Sequence, residues 1–263
     1  MDVNIHDTPS ELGVALADKI ANQMLSAQIE GRPYLLGCPG GRSPKPVYAA
    51  LALKANEVGL DLSNVVLVMM DDYLIGSTSP FHYVDLHVHY SCRRFATIEI
   101  AAVLNTKRPL AKQIHPENIW FPHPDNCEAY DVKIAAAGGI DMFILASGSS
   151  DGHIAFNPPG TRRDSPSRVV RLAKLTRRDN LKTFPDFASL TDVPEYGVTV
   201  GVGTIAKYSK SVAMVLFGKD KRRAFEKINK ATSYTPDWPA TIVTECANPL
   251  LYADVVAFEG LRE

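Results

Sequence analysis

Cysteine is scarce in this chain. Four occur among 263 residues, Cys38, Cys92, Cys127 and Cys246, far apart and with no CxxC pair. That excludes a disulfide scaffold and points to a reduced, cytoplasmic protein. An excess of either charge is also missing: 28 basic residues face 29 acidic ones, a formal net charge of −1. A general nucleic-acid binder would carry a basic surplus, so no nucleic-acid partner is expected. No apolar run approaches the roughly 18 residues that a membrane span requires. The start, MDVNIHDTPSELG, lacks the basic-then-apolar order of a secretory leader. No membrane partner is expected either. What is present is a chain of 263 residues that is 46% hydrophobic, enough for a core without staples. One domain over 1–263 is the expectation.

Short apolar runs alternate with helical stretches. Tyr34–Gly37, Asn64–Met70, Asp141–Ala146, Tyr196–Val202, Ser211–Phe217 and, more weakly, Val255–Phe258 read as strands. Most are apolar on both faces, as strands inside a parallel sheet are. Ser10–Ile29, Pro44–Val58, Cys127–Ala137 and Lys219–Asn229 have helical spacing. The pattern predicts a doubly wound α/β fold: a mostly parallel sheet, helices on both faces and right-handed crossovers. Such sheets bind ligands beyond the carboxyl ends of their strands. Residues 75–118 are less regular and read as an ordered lid or subdomain excursion.

Three segments at such strand ends carry chemistry. Leu36-Gly37-Cys38-Pro39-Gly40-Gly41-Arg42-Ser43-Pro44 joins a strand to a helix. Glycines let several amides converge on one anion, and the helix adds the positive end of its dipole. Gly40, Gly41, Arg42 and Ser43 are therefore candidate phosphate ligands. No lysine follows at the place that a Walker loop requires. A second glycine pattern, Gly201-Val202-Gly203, has dinucleotide-like spacing but lacks the acid that would hold a ribose. It reads as packing or as a ligand-facing loop, and no cofactor is expected.

Asp71 and Asp72 end the run NVVLVMM. Two adjacent acids where a buried strand meets a cleft are costly unless they bind something or move protons. The alternative is a solvated strand end. Asp151-Gly152-His153 follows DMFILA through a turn of small residues. Histidine is the side chain best suited to proton transfer near neutral pH, and Asp151 is placed to orient it.

Together LGCPGGRSP, VMMDDYL, DGHIAFNPPG, TRRDN, VPEYGVTVGVGT and the lysine of GKDK resemble the glucosamine-6-phosphate deaminase/isomerase family and its relative 6-phosphogluconolactonase. The segments occur in the family's order and span most of the chain. The resemblance implies a doubly wound α/β fold. It also implies a sugar-phosphate substrate, no metal, no cofactor and a possible homo-oligomer. It implies that His153 with Asp151 opens the sugar ring and that Asp71 shuttles a proton between C1 and C2. Asp72 would stand beside the substrate. Gly41, Ser43, Lys182 and Lys221 would hold the phosphate, with Lys182 where the family has arginine.

Three departures stand out. Pro158 occupies the position of a family glutamate that completes the histidine relay. Arg42 replaces a small glycine and could read a second anionic group. The stretch Phe81–Phe95 (FHYVDLHVHYSCRRF) matches nothing in the family pattern. In it, His87 and His89 would share one side of a strand, as in some metal sites, or form part of a polar lid face with His82, Asp85 and Cys92. Arg93 and Arg94 would either hold substrate or lie on a solvated helix end. The leading expectation is a hexosamine-6-phosphate isomerase/deaminase. The alternatives are a lactone hydrolase like 6-phosphogluconolactonase and a non-catalytic sugar-phosphate binder.

Overall fold

The computed structural model describes residues 1–259. In chain order the strands are β1 (Asp2–His6), β2 (Tyr34–Cys38), β3 (Val65–Met69), β4 (Asp71–Ile75), β5 (His82–Tyr83), β6 (Ile119–Trp120), β7 (Met142–Leu145), β8 (Arg168–Arg171), β9 (Tyr196–Thr199), β10 (Val212–Leu216) and β11 (Pro249–Asp254). The helices are α1 (Pro9–Ile29), α2 (Lys45–Glu57), α3 (Cys92–Phe95), α4 (Ala102–Asn105), α5 (Cys127–Ala136), α6 (Lys174–Thr183), α7 (Val202–Tyr208), α8 (Arg222–Lys230) and α9 (Val255–Phe258).

Seven strands form one sheet in the order β1-β11-β10-β7-β2-β3-β6, and all its pairings are parallel. Its strands alternate between two cores. Tyr34, Leu36 and Cys38 of β2 face one side with α1, α2 and α4. Leu35 faces the other, with residues of α5, α7, α8 and the segment Pro239–Glu245. Local signals start α1: the Thr8 hydroxyl accepts from Glu11 N at 3.2 Å, and Pro9 opens the first turn. Leu12, Leu16 and Ile20, one turn apart, are its fully buried stripe.

The chain runs outward through β2, β3 and β6, then returns to place β7 on the other side of β2. The crevice beyond the carboxyl ends of β2 and β7 is therefore the topological switch point of the sheet. A second, antiparallel sheet, β5-β4-β9-β8, stands beside it. Only Met70 separates β3 from β4, so the chain leaves one sheet and enters the other at the acid pair.

Several expectations change here. Tyr196–Val202 is not a strand of the parallel sheet: β9 belongs to the antiparallel one, and Val202 already begins α7. Val255–Phe258 is a helix, because the Asp254 side chain caps it by accepting from Ala257 N at 2.8 Å. The last strand is β11, just before it. The excursion over 75–118 is not a separate subdomain. Ala96, Ile100 and Leu104 are buried against α2 in the first core, and only β5 and the turns around it join the small sheet.

Asp141 ties the opposite, amino-terminal end of the sheet together. It accepts from Leu35 N, Arg32 Nη1 and Lys210 Nζ, each at 2.9 Å. A buried amide left unpaired costs about 1–3 kcal/mol, whereas the half-exposed ion pairs add little. Asp141→Ala should lower the unfolding free energy in urea titrations by roughly 2 kcal/mol. Ligand affinity at the far end of the sheet should not change.

Candidate active site

A cavity of about 490 Å³ opens at the switch point. The loop after β2 contributes Gly40, Gly41, Arg42 and Ser43; β4 contributes Asp71; the loop after β7 contributes Gly148 and His153. Lys221 enters after β10, and α6 supplies Asp179, Asn180 and Lys182. Segments distant in sequence thus meet in one volume.

The imidazole of His153 is held on several sides. Its Nδ1 donates to Asp151 Oδ1 at 2.6 Å, and Thr176 Oγ1 lies 3.3 Å from the same nitrogen. Thr176 Oγ1 also donates to Asp151 Oδ2 at 3.1 Å. Burial would raise the Asp151 carboxyl, but the hydrogen bond and charge of His153 outweigh it and hold the carboxyl below its ordinary value. An ionised Asp151 makes Nδ1 the donor, leaving Nε2 for a ligand. Gly148 is required by this packing: a Cβ there would stand 2.2 Å from His153 Nδ1.

The two acids at the start of β4 have different surroundings, because successive strand residues point to opposite faces. Asp71 lines the cavity and is 8% exposed. Its Oδ1 accepts from Cys92 Sγ at 3.4 Å. Burial pushes this carboxyl up to about 7, the thiol hydrogen bond pulls it down, and the charge of Asp72 pushes it further up. A carboxyl so placed exchanges its proton near neutral pH.

Asp72, expected beside the ligand, does not line the cavity. It is fully buried and accepts from Tyr73 N at 2.8 Å, Cys92 N at 2.8 Å and Arg93 Nε at 3.1 Å. Burial raises its carboxyl, against the pull of those amides and of the Arg93 charge. Its task is to anchor the start of α3. Arg93 is occupied there as well, and its guanidinium lies over the Tyr83 ring at 4.2 Å.

The opposite wall suits an anion. Among the described residues, the amides of Gly40, Gly41, Arg42 and Ser43 donate to no protein group. Lys221 is fixed by a hydrogen bond from Nζ to the Ser147 carbonyl. Burial lowers its ammonium to about 8, and the charge of Asp179 works in the other direction. Arg42 and Lys182 line the cavity and, among the described residues, have no ion-pair partner. These donors match a phosphate dianion.

The remaining candidates fall outside the cavity. Pro158 does not line it. Leu86–Tyr90 is turn and bend, so His87 and His89 do not project from one strand. His89 packs on Phe187, with ring centroids 4.8 Å apart. Of the stretch Phe81–Phe95, the cavity receives Cys92. Gly201 and Gly203 are packing residues: a Cβ at Gly201 would meet Ser165 O at 1.9 Å, and one at Gly203 would meet Asp164 C at 2.7 Å.

A model of the family described as glucosamine-6-phosphate isomerases/6-phosphogluconolactonase matches residues 7–252. The chain belongs to this family. Its relatives include a glucosamine-6-phosphate deaminase of Shouchella clausii, 35% identical over 89% of each chain. A glucosamine-6-phosphate isomerase of Candida albicans is 32% identical over 94% of each chain. In fold, the chain is similar to a monomeric glucosamine-6-phosphate deaminase, with a TM-score of 0.81, 24% identity and coverage of 98% and 99% of the two chains. It is also similar to a 6-phosphogluconolactonase of Trypanosoma cruzi, with a TM-score of 0.68, 18% identity and coverage of 99% and 96%.

Within this family member, sequence reasoning missed Thr176, Asp179 and Asn180. They lie on one side of α6, at the three- and four-residue spacing that a helix aligns. The TRRDN segment holds them, but the resemblance points to Lys182, two positions beyond it. Asn180 Nδ2 is buried with no partner among the described residues. Cys92, which the sequence groups with His82, His87 and His89, donates to Asp71 instead.

The Cys92 thiol gives a signed expectation. Cys92→Ala removes a donor and should raise the pH at which Asp71 ionises above its value of about 7. Cys92→Ser supplies a stronger donor and should lower it. Carboxyl ¹³C chemical shifts followed against pH read both changes.

Proposed function

We propose that this chain is an enzyme that isomerises and deaminates a hexosamine 6-phosphate, working as one unit. One observation carries the reading: a neutral-range carboxyl, Asp71, and an oriented imidazole, His153, line the same cavity as the free amides of Gly40–Ser43 and Lys221. The names and the 32–35% identity of the relatives support the substrate class.

In this reading the phosphate sits on the amides of Gly40, Gly41, Arg42 and Ser43, with Lys221 and Lys182 as counter-charges. His153 Nε2 takes the proton of the C1 hydroxyl and delivers it to the ring oxygen as the C1–O5 bond breaks. C1 becomes an aldehyde and C5 carries a hydroxyl. Asp71 then removes the C2 proton while O1 takes a proton from the substrate's ammonium group, giving a 1,2-enaminol, and Asp71 returns its proton to C1 as the C2 iminium forms. The iminium adds water and loses ammonia, leaving a ketose phosphate. The steps balance with water as the only co-reactant.

A second reading is hydrolysis of a sugar-lactone phosphate. Pro158 favours it, because no carboxylate follows Asn157 to assist ring opening, while His153 and Asp151 suffice to activate water. Ammonia release separates the two. The pure protein should liberate ammonia from glucosamine or galactosamine 6-phosphate and should not speed hydrolysis of 6-phosphogluconolactone. The reverse result would select the lactonase reading, and binding without either reaction would leave a sugar-phosphate sensor.

The site also sets a pH window. Asp71 must be ionised to act as base, so turnover should fall as pH drops through about 7. Lys221 loses its charge as pH rises through about 8, so KM should climb above it. His153→Gln should lower kcat by about 10²- to 10⁴-fold with little effect on KM.

A further inference from the structure

His153 has a second carboxylate near it that the steps above do not use. One ligand oxygen each from Asp151 and Asp179 and a ring nitrogen of His153 all lie within 4.8 Å of one another. Asp179 is held in place: its Oδ1 accepts from Ser150 Oγ at 2.8 Å and its Oδ2 from Ser150 N at 3.4 Å. Ser150 immediately precedes Asp151, so α6 and the histidine loop are locked together by this contact. Thr176, one turn earlier on α6, grips Asp151 and the His153 ring. A negative charge in a cavity built for an anion is unfavourable unless something positive needs it. The candidates are the cavity cations Arg42, Lys182 and Lys221, which face the anion in the functional reading, and the imidazolium that forms when His153 takes a proton. Lys221 already has the Ser147 carbonyl and, in the functional reading, the phosphate. Among the described residues, Asp151 is the one carboxylate in hydrogen-bond contact with the imidazolium, and Pro158 offers it no acid.

We propose that Asp179 is a positioning residue for His153, an acidic neighbour on α6 that stabilises the imidazolium during proton transfer from O1 to O5. The inference rests on the isomerase/deaminase reading for its chemistry, but its electrostatic part is measurable without turnover. The groups facing the imidazole are Asp151 from its own loop, Thr176 and Asp179 from α6, and beyond Asp179 the ammonium of Lys221.

The test compares the full-length wild type with Asp179→Asn, Asp179→Glu and Ser150→Ala. Diethyl pyrocarbonate modifies only the neutral imidazole, and peptide mass spectrometry reads the rate at His153 alone. At about pH 5.5, below the ordinary histidine range, Asp179→Asn should be modified at least about threefold faster than wild type. On glucosamine 6-phosphate, its kcat should fall roughly tenfold while KM stays within about threefold. Asp179→Glu should restore most of both values. Ser150→Ala, which frees the carboxylate without removing it, should fall between. Equal modification rates in wild type and Asp179→Asn would overturn the inference. So would a rise in KM at unchanged kcat, which would make Asp179 a counter-charge for Lys221 only. Faster modification in Asp179→Asn together with a wild type that releases no ammonia would sink the functional reading and leave this one standing.

Discussion

Two consecutive carboxylates enter the seam where the parallel and antiparallel sheets meet, and the low dielectric there makes each charge expensive. The strand alternation of β4 resolves the conflict by giving them different neighbours. Asp72 turns toward the start of α3, and the peptide amides of Tyr73, Cys92 and Arg93 satisfy it together with the Arg93 guanidinium. Asp71 turns toward the cavity and, among the described residues, receives only a thiol hydrogen bond. The better-compensated acid fixes architecture, and the poorly compensated one is left reactive. The abrupt passage from β3 through Met70 into β4 sets this arrangement, and it brings a carboxyl raised to about 7 to the open end of the sheet.

The other components reach that end for topological reasons. The switch between β2 and β7 leaves a crevice that no crossover helix covers, and the loops after those strands line it. One loop brings peptide donors that no group among the described residues uses; the other brings an imidazole whose tautomer is set by an ionised Asp151. Helix α6 closes the side with alternating duties: Thr176 supports the histidine, and Lys182 adds a positive charge toward the anion wall. The ionisable groups and the unpaired donors are thus neighbouring walls of one volume, built by different segments.

Much of this was legible in the sequence, for identifiable reasons. Runs such as VVLVM and VAMVL are apolar on both faces, and that suffices for a buried parallel sheet. The glycine loop and Asp151-Gly152-His153 are local patterns at strand ends, and the structure brings the loop and His153 into the cavity. The acid pair was visible, but which acid faces the cavity depends on the phase of β4, and a switch of sheets at Met70 hides that phase. The strand expected at Val255–Phe258 failed because an Asp254 cap outweighed four apolar residues. His87 and His89 gave a metal-like spacing only if the segment were extended, and it is a turn. Asp179 and Thr176 were invisible because α6 is a polar helix without an apolar stripe, so no periodicity marks its inner side. Their partners lie more than twenty positions away.

The account stands on one claim: a single ligand spans the free amides of Gly40–Ser43 at one end and Asp71 with His153 at the other. The most direct test is the crystal structure of the complex with an open-chain amino-hexitol 6-phosphate, which presents both ends and cannot react. The account predicts its phosphate on those amides and on Lys221 Nζ, with C1 and C2 within about 3.5 Å of an Asp71 oxygen. A phosphate bound away from the glycine loop, or a carbon chain directed away from Asp71, would contradict it.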